Sequence, residues 1–83
     1  MSFPMTSDEA LRAATDILKA HAKVDRPIKP SDHIQNDLGL DSLAVMEVVA
    51  DVEDQFQIEI PSATLDTLVT VEDVAKALVK LKA

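Results

Sequence analysis

The sequence predicts an all-α fold: a small four-helix bundle with three main helices, one short third helix and a long loop between the first two. Apolar residues recur at helical spacing in three separate segments, and each segment opens on a side chain able to cap a helix. Apolar residues make up 47% of the chain but aromatics only 2%, so the core is built from Leu, Val, Ile and Ala, with Phe3 or Phe56 as its only large rings. Aliphatic residues at that density favour packed helices. At 83 residues the chain holds one domain spanning 1–83, and its core must be simple.

Thr6 with Glu9 three residues on fits a capping box, and Leu11, Ala14, Ile17, Leu18 and Ala22 follow at helical spacing, so the first helix is placed at about 7–22. Lys23 to Leu40 carries Pro27, Pro30 and the chain's only glycine, which is too punctuated for a regular element. A loop this long in a compact domain is functional or pinned, and Ile28, Ile34, Leu38 and Leu40 are its expected pins. The second helix begins at Asp41 or Ser42, with Asp41 accepting free amides of the first turn, and runs to about Gln55. Val45, Val48, Val49, Val52 and Phe56 fall on one stripe, the expected core face. Glu47, Asp51 and Asp54 fall opposite, with Leu43, Met46, Ala50 and Glu53 along the border.

Ser62 to Leu68 leaves room for one or two helical turns. Thr70 with Asp73 repeats the capping pattern and opens a last helix whose apolar side is Val71, Val74, Ala75, Leu78 and Leu81. Lys76, Lys80 and Lys82 cluster toward its C-terminus, where the helix dipole favours them.

With no cysteine, disulfides, thiolate metal sites and a cysteine nucleophile are all excluded, and any thiol chemistry needs an added group. The start, Met1 to Glu9, has neither the basic beginning nor the apolar stretch of a secretory signal, and no apolar run approaches the roughly 20 residues that span a bilayer. The expectation is a complete cytoplasmic protein without membrane insertion, acting as a monomer. A formal net charge of -7 argues against nucleic acid as partner and toward proteins with basic patches, the plainer alternative being solubility alone.

Asp41-Ser42-Leu43 places a lone serine hydroxyl where a helix begins. A hydrolase would need a general base beside it, and the candidates, His21 and His33, sit in no nucleophile motif and read as ordinary surface or loop residues. A single glycine leaves no Gly-x-Ser-x-Gly elbow, phosphate loop or dinucleotide fingerprint. Counted from Asp37, a calcium loop would need an oxygen ligand where Gly39 stands, glycine where Ser42 stands and glutamate where Val48 stands, so no metal site is assigned. The chain therefore reads as non-catalytic.

Asp37-Leu38-Gly39-Leu40-Asp41-Ser42-Leu43, Glu47 five residues past the serine, Glu53-Asp54 and Ile58-x-Ile60-Pro61 followed by Thr70-Val71 together resemble the acyl carrier protein family over nearly the whole chain. The resemblance implies that a phosphopantetheinyl transferase, using coenzyme A and magnesium, attaches 4'-phosphopantetheine to Ser42, and that the arm's thiol carries acyl groups as thioesters. The positive end of a helix would tolerate the new phosphodiester. Asp41 would help present the serine, beside its role as cap. Leu43 and Met46 would form the apolar part of a docking surface, unless they pack against the loop or the third helix. Glu47, Asp51, Glu53 and Asp54, around Ala50, match the family's acidic recognition helix, the alternative being a solvated face. Implied partners are the transferase, an acyl-loading enzyme or ligase, and ketosynthase-type and other acyl-processing enzymes of fatty-acid or polyketide-type biosynthesis. Ala44, Ala50 and a weakly acidic third-helix segment depart from many fatty-acid carriers and keep a specialised pathway in view. Two other readings stand beside this one: a D-alanyl or aminoacyl carrier, and an unmodified acidic helical interaction module. Asp41 counts against peptidyl carriers, which usually place a different residue before the serine.

Overall fold

A computed structural model describes residues 5–82. Its elements are α1 (Ser7–His21), α2 (Ser42–Phe56), α3 (Ser62–Leu65) and α4 (Val71–Lys82). Phe3, with the rest of residues 1–4 at the start of the segment weighed above as a targeting signal, lies outside the described residues. Among those residues the only bridge of β type is an isolated one between His33 and Thr70.

The capping residues form the bonds their spacing predicts. Thr6 and Glu9 make a reciprocal capping box on α1, and Thr70 and Asp73 do the same at the start of α4. α1 buries Ala10, Ala14, Ile17 and Leu18 and packs more extensively on α4 than on α2. Leu11 and Ala22 are only half-buried, while Ala10, which the expected stripe omits, is fully buried. α4 contributes Val71, Val74, Ala75 and Leu78 to the same core, with Leu81 half-buried at its edge.

On α2, Val48, Val49 and Val52 are buried as expected, but Val45 and Phe56 are half-buried. Their places explain the difference. Val45 lies one turn from the open N-terminal end and Phe56 is the last helical residue, bordering a cleft toward α1. The helix ends at Gln57, which takes the left-handed conformation (φ 54°, ψ 49°) that glycine would adopt more cheaply. Its side-chain amide donates to the Asp54 carbonyl at 2.6 Å, and Lys82 of α4 donates to the Phe56 carbonyl at 3.2 Å. The third helix is a single short turn; Leu68 falls beyond it.

The long connection between α1 and α2 is pinned by buried Ile34, Leu38 and Leu40, with Ile28 half-buried. It also holds the buried carboxylate of Asp32, which accepts two hydrogen bonds from Arg26 (2.8 and 3.2 Å) and one from the Lys29 amide (2.8 Å). The loop's backbone reaches α4: the carbonyls of Asp32 and Pro30 accept from the amides of Val71 and Glu72, at 3.1 and 2.9 Å. Gly39 has φ +71°, and an added Cβ would meet nothing nearer than Lys23 Cβ at 3.7 Å. Backbone conformation, not crowding, therefore selects glycine there.

The Arg26 guanidinium, with the Lys29 amide second, holds the Asp32 carboxyl below the usual carboxylate range. A carboxyl depressed in the folded state stabilises the fold above its unfolded value of about 3.9, and that stability is lost as pH falls through the folded value. Asp32→Asn should lower Tm by several degrees at neutral pH and flatten the acid limb of the Tm-versus-pH curve. Glu9 and Asp73, both depressed mainly by backbone hydrogen bonds, should supply the slope that remains. An acid limb as steep in the variant as in the wild type, measured by circular dichroism melts, would show that Asp32 does not carry this linkage.

Candidate functional site

Ser42 is the first residue of α2 and is exposed. Its place is set from both sides. Upstream, the Leu40 amide donates to the Ile34 carbonyl (3.3 Å) and the Ile34 amide to the Val69 carbonyl (2.9 Å), tying the approach to the serine to the segment before α4. The Lys23 amide donates to the Leu38 carbonyl at 3.2 Å, tying the same approach to the end of α1. Downstream, Asp41 is the N-cap: its carboxylate accepts from the Ala44 amide at 2.8 Å and its carbonyl from the Val45 amide at 2.9 Å. No described hydrogen bond engages the amides of Ser42 and Leu43, so the positive end of the helix stays open beside the hydroxyl.

Among the described residues, no hydrogen bond joins the Ser42 side chain to a histidine or a carboxylate. The His33 ring accepts from the Asn36 amide through Nδ1 at 3.1 Å, within the turn that Asp37 closes by accepting from the His33 amide at 2.7 Å. His21 sits at the end of α1 with Nε2 2.7 Å from Asp51 of α2. Both histidines thus have specific bonds that their sequence context did not signal, and neither bond involves the serine. Ser42 lies outside the α1–α2 cleft, the α1–α4 cleft and the void beneath α2. Beneath α2, Val45, Val49, Ile60 and Leu68 surround an apolar void of about 10 Å³, room for no more than about one water-sized probe.

The large apolar side chains left exposed among the described residues are Leu43 (72%), Met46 (52%) and Val69 (44%). Packing against the loop or α3 does not cover the first two. Met46, Ala50 and Glu53 follow Ser42 down one line of α2, and Glu47, Asp51 and Asp54 lie along the next. Glu47, Ala50 and Asp54 are exposed. Glu53 is half-buried and accepts the Ile60 amide at 2.8 Å, so it also holds the chain leaving α2. Asp51 is exposed but carries the bond to His21.

A family profile described as "Phosphopantetheine attachment site" matches residues 11–78, a span that contains this whole arrangement. The chain belongs to that family. It is 42% identical over 79 residues to an acyl carrier protein of Streptomyces coelicolor, covering 90% of this chain and 86% of that one. An acyl carrier protein of Prochlorococcus marinus is 36% identical over 73 residues, 87% of this chain and 91% of its own length. A protein named as a mitochondrial acyl carrier protein from Neurospora crassa is 39% identical over 70 residues, 82% of this chain but 52% of that relative.

Membership gives the chain a carrier function and 4'-phosphopantetheine as its group. That group supplies a terminal thiol on a long flexible arm, which forms thioesters. The chain, which has no cysteine of its own, offers no competing thiol. The exposed hydroxyl and the open helix end fit a phosphodiester there. No helix among the described residues is long and apolar enough to cross a membrane.

Asp41→Ala should cost about 1 kcal/mol of folding stability through loss of the cap, while Asp41→Asn, which keeps an acceptor oxygen, should restore most of it. Urea unfolding of the three proteins measures this; equal midpoints for Ala and Asp would mean that the cap contributes nothing.

Proposed function

We propose that Ser42 is the attachment residue, and that this single domain works as a monomeric acyl carrier whose arm shuttles acyl thioesters among separate enzymes. The observation that carries the reading is a free, exposed hydroxyl on the first residue of α2, inside the matched span. In the loading step the Ser42 oxygen forms the new bond to phosphorus, the pyrophosphate bond of coenzyme A breaks, and its adenosine bisphosphate half leaves. The transferase takes the hydroxyl proton, since no side chain of the carrier is bonded to it. Asp41 orients the serine by fixing the first turn, and Leu43 borders the attachment point.

Partner docking is assigned to α2. Leu43 and Met46 supply exposed apolar contacts, and Glu47 and Asp54, flanking Ala50, supply charge for basic patches on the transferase, acyl-loading enzymes and ketosynthase-type enzymes. Asp51 and Glu53 add their charge from within existing hydrogen bonds. Ions on such a surface are screened beyond roughly 8 Å at physiological salt, so docking is weak, fast and salt-sensitive, as a shuttle requires. We assign a fatty-acid or polyketide-type acyl group as the cargo and the cytoplasm as the working compartment; the relatives' names support an acyl cargo. The chain is non-catalytic on this reading, a substrate of the transferase.

Intact-protein mass spectrometry with coenzyme A, magnesium and a broad-specificity transferase should show a gain of one phosphopantetheine that Ser42→Ala abolishes. Glu47→Lys should raise the transferase KM by about tenfold with kcat little changed, the mark of lost docking. A gain that persists in Ser42→Ala would move the attachment elsewhere; no gain at all, with an active transferase, would favour the unmodified interaction module.

A further inference from the structure

A cleft of about 720 Å³ lies away from Ser42, between α1 and α2. One of its walls is a continuous face of α1: Glu9, Arg12, Ala13, Asp16, Ile17 and Ala20 recur at helical spacing. The other wall is the C-terminal half of α2, where Asp51, Asp54 and Phe56 line it. Small side chains explain the gap. Ala13 and Ala20 are too short to reach α2, and the His21 to Asp51 bond spans the helices at one end without filling the space between them.

Charge and length say what suits this cleft. Four of its lining residues are acids (Glu9, Asp16, Asp51 and Asp54) against the single cation Arg12, over an apolar floor that includes Ile17 and Phe56. From Glu9 to Ala20 the α1 wall runs about 16 Å, or about three turns, the span of a short helix rather than of a small ligand. Asp51 and Asp54 also belong to the α2 face assigned to docking, so the cleft continues that surface around the helix toward α1.

We propose that the α1–α2 cleft is a docking groove for a basic amphipathic helix of a partner protein, with apolar side chains against Phe56 and Ile17 and Lys or Arg side chains between Asp16 and Asp54. The proposal extends the docking surface of α2 and rests on that reading. Helix-in-groove recognition needs an apolar floor and a charged rim, and both are present here.

The probe is a synthetic helical peptide of about 15 residues with leucines at helical spacing and lysines between them, beside a scrambled peptide of the same composition. Titrated into the isotope-labelled protein, it should perturb amides from Arg12 to Ala20 and from Asp54 to Phe56. Arg12→Glu should tighten binding and Asp16→Lys weaken it, each by about threefold, the scale of one screened surface ion pair. Lys80→Glu makes the same charge change on α4, away from the cleft, and should alter binding little. Equal tightening by Lys80→Glu and Arg12→Glu, or equal binding of the scrambled peptide, would reduce the effect to net charge and overturn the proposal. Perturbations confined to Ser42–Ala50 would also overturn it while leaving the α2 docking face in place. Normal loading of Ser42 in Arg12→Glu and Asp16→Lys shows that those variants are folded, and a wild type that cannot be loaded would fail the carrier reading instead.

Discussion

The hydrogen bonds between the long loop and the start of α4 are the constraint on which the Ser42 end of the molecule depends. A helix begins with amides that have no partner inside the helix, and in α4 the carbonyls of Asp32 and Pro30 accept two of them, those of Val71 and Glu72. Those carbonyls are in place because the Asp32 side chain is itself held by Arg26 and the Lys29 amide. From there the order propagates toward the serine, through the bonds linking Val69 to Ile34 and Ile34 to Leu40, two residues before it. A loop of this length left untied would be among the least stable parts of the fold. Tied to α4, it becomes the mount for α2.

Local sequence signals were legible and long-range ones were not. The boxes at Thr6 and Glu9 and at Thr70 and Asp73, and the cap at Asp41, involve residues three apart, so spacing alone is enough to see them. The apolar stripes of α1, α2 and α4 are equally local in origin. The bond between His21 and Asp51 joins residues 30 apart, and that between Lys82 and the Phe56 carbonyl joins residues 26 apart. No periodicity announces such pairs, because they exist only once the helices have packed. The half-burial of Val45 and Phe56 has the same origin: helical spacing says which residues share a face, whereas the ends of a neighbouring helix decide how much of that face is covered.

The proposed attachment point was legible for a different reason. Asp37 to Leu43, with Glu47 and Glu53-Asp54 beyond it, resembles the family's motif, whereas a cap and a serine at a helix start would not by themselves single out Ser42. Leu43 at 72% and Met46 at 52% exposure lie on the same helix within about one turn of the serine, a placement that suits an interaction surface. Around them the acids add long-range attraction without much affinity, because exposed ion pairs are worth little individually. On the proposed docking face, exposed apolar contacts and charge thus occupy adjacent lines of one helix.

A carrier arm that must reach several active sites needs its motion in the arm and not in its root. With attachment at Ser42 as proposed, α2 meets that need by being fastened at both ends. Its first turn is held by Asp41 and by the tied loop, and its last by the Gln57 cap, the Lys82 bond to the Phe56 carbonyl and the Glu53 bond to the Ile60 amide. Most of these fastenings use groups that the helix must satisfy in any case, so rigidity follows from closing the orphaned ends of the helix. Glu53 then has two places in the proposed reading, since one oxygen fixes the chain leaving α2 while its charge belongs to the proposed docking face. A substitution there disturbs the anchoring of α2 as well as its charge, whereas one at Glu47, which is exposed, alters the surface without loosening either end.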